Sequence, residues 1–429
     1  MTSSVDPQHR AAEARPRLED ARRAAESTQA TAAVGQTKLA LGLIELFSGK
    51  LDRALDVHRT APGADVLVVS DLMALDRLDE ALEVVDALDD GGGDVGLGGS
   101  GWNRATVRVT RGMVLFALGR LDEAAAEAEA AIGISRELDR VTEELGSIDW
   151  AYRIGVRRGL PDELDLRWTS LRGSMPDSQS ANWGIDTGAL LAGATASRPE
   201  NTQALFDLAM PSIDHSYFNL AVTPSVAAQL VTIALALKDR DRAERIVDRA
   251  ERLASMNPGV VSLLASAAHS RGLLDDDISA LQHAHGVAAS SPRPLLRADI
   301  AHSLGNALAR RGQPADGVAA WQEALATYDS CGAALDSSMV RDRLRSAGVR
   351  GAADHRRRPS EGWTALTESE LAVVRLVAAG RTNREVARRL LRSPHTVDSQ
   401  LRQAFRKLRV SSRVELTRIV IELDQPPPE

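Results

Sequence analysis

LTESELAVVRLVAAGRTNREVARRLLRSPHTVDSQLRQAFRKLRVSSRVEL, residues 366–416, carries helix-start signals at close intervals. Thr367 with Glu370, Thr382 with Glu385, and Ser412 with Glu415 each have capping-box spacing. In that motif hydroxyl and carboxylate satisfy each other's unpaired backbone N–H. Ser393-Pro394 supplies an N-cap followed by proline at the first helical position. Gly380 sits where the first helix should stop. The pattern predicts helices over 368–379, 383–391, 394–408 and 412–423. A tight turn joins the second to the third, the layout of a helix-turn-helix.

Laid out at about 100° per residue, the third helix has two unlike sides. Val397, Leu401, Ala404 and Leu408 share one face; His395, Ser399, Arg402, Gln403 and Arg406 share the other. Arginine reads guanine bidentately in the major groove, glutamine reads adenine, and serine serves either. The plainer alternative is a solvated charged face on a surface helix. The charge balance argues for the first reading. Residues 381–418 hold eleven Arg/Lys against three acids, a local net of +8 on a chain of net −7, which leaves −15 for the remainder. A basic patch on an acidic chain marks a local polyanion site. Lys407 and Arg413, with the N-terminal amides of the second and third helices, are candidate phosphate contacts that set register.

The stretches LTESE, LVAAGRTNREVARRL, SPHTV, FRKL and VSSRVEL occur in the order of the LuxR-type (GerE) helix-turn-helix family, which this tail resembles over about 60 of 429 residues. The resemblance implies a four-helix, wingless domain whose third helix enters the major groove. Its base-contacting positions fall on Asp398, Ser399 and Arg402. Thr382, Asn383, His395, Thr396, Gln403, Arg406, Lys407, Ser412 and Arg413 complete the expected DNA-binding set. Two departures stand out. Position 398 is commonly lysine in the family; an aspartate repels phosphate but accepts from a cytosine amino group. Arg409 replaces the usual glycine before the following valine, so a non-glycine residue is expected in a left-handed conformation.

The fourth helix has two apolar sides. Leu416, Ile419, Val420 and Leu423 cluster; Val414 and Ile421 lie roughly opposite. In this family the fourth helix pairs two domains, so Val414 and Ile421 are the expected dimerisation residues of a homodimer on an inverted-repeat operator. A scattered surface Val and Ile is the alternative reading.

The rest of the chain is a different kind of sequence. Its length suggests two or more domains. Composition is 44% hydrophobic but 3% aromatic, with 48 arginines against four lysines. The abundance of Ala, Leu and Arg favours helix throughout. Cys331 stands alone, which excludes an intramolecular disulfide or a cysteine zinc cluster. The first 30 residues lack a signal-peptide core. The longest apolar run, Val226–Leu237, is too short to span a bilayer and reads as a buried helix. These features lead us to expect a cytoplasmic protein without membrane contact.

Self-similar breaks recur: SGKLDRAL (48–55), LDRLDEAL (75–82), LGRLDEAA (118–125), RRGLPDEL (157–164), SRPENTQAL (197–205), KDRDRAER (238–245), SRGLLDDDI (270–278) and RRGQPADGV (310–318). Their turns fall near residues 49, 76, 119, 159, 198, 239, 272 and 312, at intervals of 27 to 43 residues. Each break follows an apolar helical stretch and precedes an amphipathic one. A single hairpin cannot bury its apolar face; stacked hairpins can, and they build a superhelix. An irregular helical domain is the alternative. The layout resembles the helical-repeat half of the large MalT-like LuxR regulators, whose repeats take a small inducer or a regulatory protein. No G-x-x-x-x-G-K-[ST] occurs, so the ATP-driven switch of that group is not carried over.

Other signals are weaker. GLGGSG (96–101) lacks the preceding strand of a dinucleotide site and reads as a loop. Trp102, Trp150, Trp168 and Trp183 either fill hairpin cores or line a ligand groove. His283 and His285 are two apart and cannot share a helix face. No catalytic constellation stands out, so neither enzyme activity nor a cofactor is expected. The sequence therefore predicts an all-α chain. A tetratricopeptide-like superhelix over 1–350 serves as sensor, GAADHRRRPSEG forms a linker over 351–362, and a DNA reader occupies 363–429 with its motif at about 383–402. A protein-binding adaptor with a DNA-incompetent tail is the competing functional reading.

Overall fold

Residues in the left-handed conformation decide where most helices of this chain stop. The structure, a computed structural model, describes residues 7–27, 31–90, 104–159, 190–191, 199–349, 362–366, 368–390, 394–410 and 412–423. Contacts divide the chain into two compact units, Met1–Gly348 and Val349–Glu429. The first contains α1 (Pro7–Ser27), α2 (Thr31–Phe47), α3 (Leu51–Arg59), α4 (Asp65–Ala74), α5 (Leu78–Asp90), α6 (Arg104–Ala117), α7 (Leu121–Glu137) and α8 (Val141–Arg158). It continues with α9 (Pro199–His215), α10 (Phe218–Val222), α11 (Val226–Ala236), α12 (Arg240–Met256), α13 (Val261–Asp275), α14 (Ile278–Ala288), α15 (Pro294–Arg310), α16 (Pro314–Cys331) and α17 (Ala334–Ser346). The fold is all-α, with no strand among the described residues.

One turn chemistry recurs. After α2, the Gly49 N–H donates to the Leu46 carbonyl at 3.0 Å and the Lys50 N–H to the Glu45 carbonyl at 2.9 Å, with Gly49 at φ +78°. This crossed pair caps carbonyls that a helix end otherwise leaves orphaned. The same pair closes α4 at Asp76, α6 at Gly119, α11 at Lys238 and α15 at Gly312. Each is followed at once by the partner helix of a hairpin. After Lys238, the Asp239 carboxylate accepts from the Arg242 N–H at 3.0 Å and starts α12. Asp277 caps α14 through the Ser279 N–H.

Five of the sequence-derived turn positions, 49, 76, 119, 159 and 312, coincide with left-handed glycines or aspartate, and the sixth shifts from 239 to Lys238. The turn expected near 272 lies at Asp276, φ +48°. Gly272 stays inside α13 because its missing Cβ lets Leu281 approach; a Cβ there would stand 2.8 Å from Leu281 Cγ. The position near 198, the GLGGSG loop, and Trp102, Trp168 and Trp183 lie outside the described residues. The apolar run 226–237 forms α11, whose Val226, Leu230 and Val231 are buried. Trp150 is partly buried, packed edge-to-face on Phe116. Among the described residues no helix is long and apolar enough to cross a membrane.

Hairpin stacking alone does not account for the first unit. Its early turns also dock on its later helices. Asn257 Nδ2 donates to the Gly49 carbonyl at 2.9 Å. Buried Arg293 donates to Asp76 Oδ1 at 2.9 Å, to the Val222 carbonyl at 3.0 Å, and to the Met73 carbonyl. The second Asp76 oxygen accepts from the Ser262 N–H at 2.9 Å. Gly119 packs so closely on Pro294 and Cys331 that a Cβ would stand 2.6 Å from Cys331 Sγ. Arg157 on α8 bridges Asp299 (2.6 Å) and Asp336 (3.0 Å), and Tyr328 Oη donates to Asp299 at 2.7 Å. Burial pushes the Asp336 carboxyl up to about 6 against the pull of Arg157. Repeats in an open array touch only their neighbours; here polar anchors tie segments 142 to 220 residues apart.

Arg293→Ala should therefore destabilise the first unit by about 2–4 kcal/mol, because it empties a buried site that pairs with the half-buried Asp76 and caps two carbonyls. The urea midpoint of the full chain measures this. A shift worth well under 1 kcal/mol would show that the two groups of hairpins hold together without that anchor.

Candidate nucleic-acid interface

The second unit begins with a 3-10 turn, Trp363–Ala365, followed by α18 (Glu368–Ala378), α19 (Asn383–Arg389), α20 (Pro394–Leu408) and α21 (Arg413–Leu423). These bounds fall within two residues of the helices read from capping signals. The Thr382 box forms in full: the Glu385 N–H donates to Thr382 Oγ1 at 3.3 Å, and the Thr382 N–H donates to Glu385 Oε2 at 2.8 Å. Those bonds to the Thr382 backbone and hydroxyl, then the nearby charges of Arg381 and Arg388, hold the Glu385 carboxyl below its ordinary range. Ser412 Oγ accepts from the Glu415 N–H at 3.2 Å and starts α21. Thr367 lies outside the described residues.

Val397, Leu401, Ala404 and Leu408 point α20 into a core with Val373, Val374, Val377, Val386 and Leu416. That fixes the opposite face outward. Arg402 and Arg406 are exposed and Gln403 is half-buried. The side chains of His395, Thr396, Ser399 and Ile421 lie outside the described residues. Arg384, Arg389 and Arg406 hold no salt bridge among the described residues, so the surface around α19 and α20 keeps its positive charge.

Several expected DNA contacts are instead held by bonds within the unit. Lys407 Nζ donates to both oxygens of buried Glu370, at 2.8 and 2.7 Å. Burial of that carboxylate requires a paired cation, so Lys407 ties α20 to α18. The same ammonium expected on a phosphate is thus engaged within the unit. Thr382 is taken up by its capping box. Asn383 Nδ2 donates to Asp398 Oδ1 at 3.2 Å, and Asn383 Oδ1 accepts from Arg413 Nη2. Arg413 Nη1 also donates to the Arg381 carbonyl at 3.3 Å. Asp398 Oδ2 accepts from Arg402 Nη2 at 2.7 Å. Only Asp398 and Arg402, four residues apart on α20, have helical spacing; Glu370 and Lys407 are 37 residues apart, and the capping pattern assigned Glu370 elsewhere.

Arg409 takes the left-handed conformation expected for it, φ +54°. The Arg409 N–H donates to the Arg406 carbonyl at 3.2 Å and the Val410 N–H to the Phe405 carbonyl at 3.0 Å, the same crossed cap as in the hairpins.

Residues 364–420 match the family described as GerE: Bacterial regulatory proteins, luxR family. They form a LuxR-type helix-turn-helix domain. Proteins provisionally named HTH-type transcriptional regulators in Mycobacterium bovis and Mycobacterium tuberculosis are 48% identical to this domain over 61 residues. The match spans 14% of this chain and 7% of each relative's length. The crystal structure of APC/C hetero-tetramer Cut9-Hcn1 covers 95% of this chain and 79% of its own at 13% identity, with a TM-score of 0.30, too loose to carry an argument.

A non-glycine residue at φ > 0 costs roughly 1–2 kcal/mol, so Arg409→Gly should stabilise the LuxR-type domain by about 0.5–1 kcal/mol after about 0.4–1 kcal/mol of glycine entropy is deducted. Slower amide exchange across α20 and α21 is the expected readout. Unchanged exchange would show that the arginine turn carries no strain.

Proposed function

We propose that the chain is a sequence-specific DNA-binding transcriptional regulator. The observation that carries this reading is the LuxR-type domain with Arg402, Gln403 and Arg406 turned away from its core on α20. The names of the mycobacterial relatives support it. In this reading α20 enters the major groove of double-stranded DNA, and Arg402 and Gln403 read base edges. Arg406, Arg384 and Arg389 meet phosphates and set register. Ser399, His395 and Thr396 belong to the same face by sequence position.

The domain acts as a homodimer on an inverted repeat. Val414 supports this, since its side chain on α21 is 80% exposed while Leu416 of the same helix is fully buried. An apolar side chain left in water beside a buried one suits a pairing surface. Ile421 joins it by helical position. The hairpin unit receives the controlling signal, a small molecule or a regulatory protein. Helical hairpins of this kind commonly serve as recognition surfaces.

A mobility-shift titration of full-length protein on duplexes enriched from a random pool tests this reading. Arg402→Ala should cost about 1–3 kcal/mol and relax preference at one base pair, whereas Arg406→Ala should weaken all sequences alike. With about six phosphates neutralised per protomer, log affinity should fall against log salt with slope near −5. Undiminished binding by the Arg402→Ala, Arg406→Ala double variant would remove the assignment and favour the adaptor reading. Val414→Glu should leave half-site binding intact and abolish cooperative binding to the inverted repeat; retained cooperativity would place the dimer contact elsewhere.

A further inference from the structure

Asp398 occupies a position that faces DNA in the proposed reading, yet it carries the charge that phosphates repel. Its surroundings explain its presence. Each carboxylate oxygen already has a donor: Asn383 Nδ2 at 3.2 Å on Oδ1 and Arg402 Nη2 at 2.7 Å on Oδ2. Asn383 is itself fixed from the other side, because its Oδ1 accepts from Arg413 Nη2. Arg413 is held in turn by the Arg381 carbonyl. The chain of bonds runs from the first residue of α21, through the first residue of α19, to Asp398 and then to Arg402 on α20. Arg402 is the terminal member, with its side chain 74% exposed, while Asp398 is 45% exposed.

We propose that Asp398 is a positioning residue that holds Arg402 in place to read guanine, rather than a reader of cytosine. This rests on the DNA-reading function proposed above. A guanidinium tethered through one Nη keeps its other N–H groups for the O6 and N7 of guanine. A free arginine on a helix surface samples many rotamers and must lose them on binding. Asp398 removes much of that freedom before DNA arrives. It also lowers attraction to phosphates in general. Both effects push the same way: non-specific binding weakens and specific binding is retained, so their ratio rises. A cytosine contact by Asp398 would have to displace Asn383 or Arg402, undoing the arrangement the bonds create.

The test uses full-length protein and a pool of randomised DNA duplexes, selected in parallel with the wild type, Asp398→Ala, Asp398→Asn, Arg402→Ala and the Asp398→Ala, Arg402→Ala double variant. The wild type should enrich a guanine that Arg402→Ala no longer enriches. Asp398→Ala and Asp398→Asn should each lower the preference for that guanine about fivefold. Both should also raise affinity for unselected duplex by roughly two- to fivefold, through loss of one negative charge. Adding Asp398→Ala to Arg402→Ala should leave base preference unchanged, the signature of one residue acting through the other. A structural defect would weaken all duplexes together and would not single out one base. The proposal is overturned if either Asp398 variant keeps the full guanine preference. It is equally overturned if Asp398→Ala alters base preference in the absence of Arg402. A wild type that enriches no sequence would overturn the DNA-reading function, and this proposal with it.

Discussion

A left-handed residue lets a helix hand over to an antiparallel partner within three residues. That role is filled again and again along this chain: by glycine at 49, 119 and 312, by aspartate at 76 and 276, and by Lys238. At 49, 76, 119, 238 and 312 two amides cross back onto two carbonyls behind them, and at Asp276 both amides return to the Gly272 carbonyl, so the helix ends satisfied and the next can begin at once. The hairpins of the first unit follow from it, and so does the end of the reading helix at Arg409. Where glycine is absent the conformation costs about 1 kcal/mol or more, and the surrounding contacts supply the difference. Asp76 shows how: its side chain, placed by the turn, accepts from both Arg293 and Ser262.

Local chemistry was therefore what the sequence displayed best. Capping boxes placed the helices of the second unit within two residues, and the recurrent break motif marked most hairpin turns. The faces of α20 were equally plain, since Val397, Leu401, Ala404 and Leu408 fall one helical turn apart. What stayed hidden was whatever depends on distant residues. Nothing in the spacing of Arg293 and Asp76, 217 residues apart, announces a pair. Gly272 looked like a turn because glycine ends helices, yet it serves close packing against Leu281. Lys407 lies in a basic run that suggests a phosphate ligand, and its pairing with the buried Glu370 carboxylate is not legible there. In a surface helix, a cation's partner is decided by which neighbour is desolvated, and sequence alone does not show that.

In the proposed function these internal bonds narrow the surface left for DNA. Thr382, Asn383, Lys407 and Arg413 brace the helices against one another. Arg402, Gln403 and Arg406 remain turned outward, with Arg384 and Arg389 on the neighbouring helix. A small domain gains precision from this division. The helix proposed to meet DNA, α20, is fixed by a half-buried ion pair at its C-terminal end and by a polar chain nearer its start. Its exposed arginines can then be aimed rather than merely concentrated. Positive charge alone gives affinity for any duplex, and orientation gives preference among sequences.

The claim at the centre of this account is that Arg402 reads a guanine in the major groove. Methylation interference measures that contact directly, because a methyl group on guanine N7 blocks an arginine from its acceptor. With full-length protein on its selected duplex, methylation of one guanine in each half-site should abolish wild-type binding. The same methylation should leave the residual binding of Arg402→Ala unaffected. Interference that is equal for both proteins, or absent at every guanine, would contradict it.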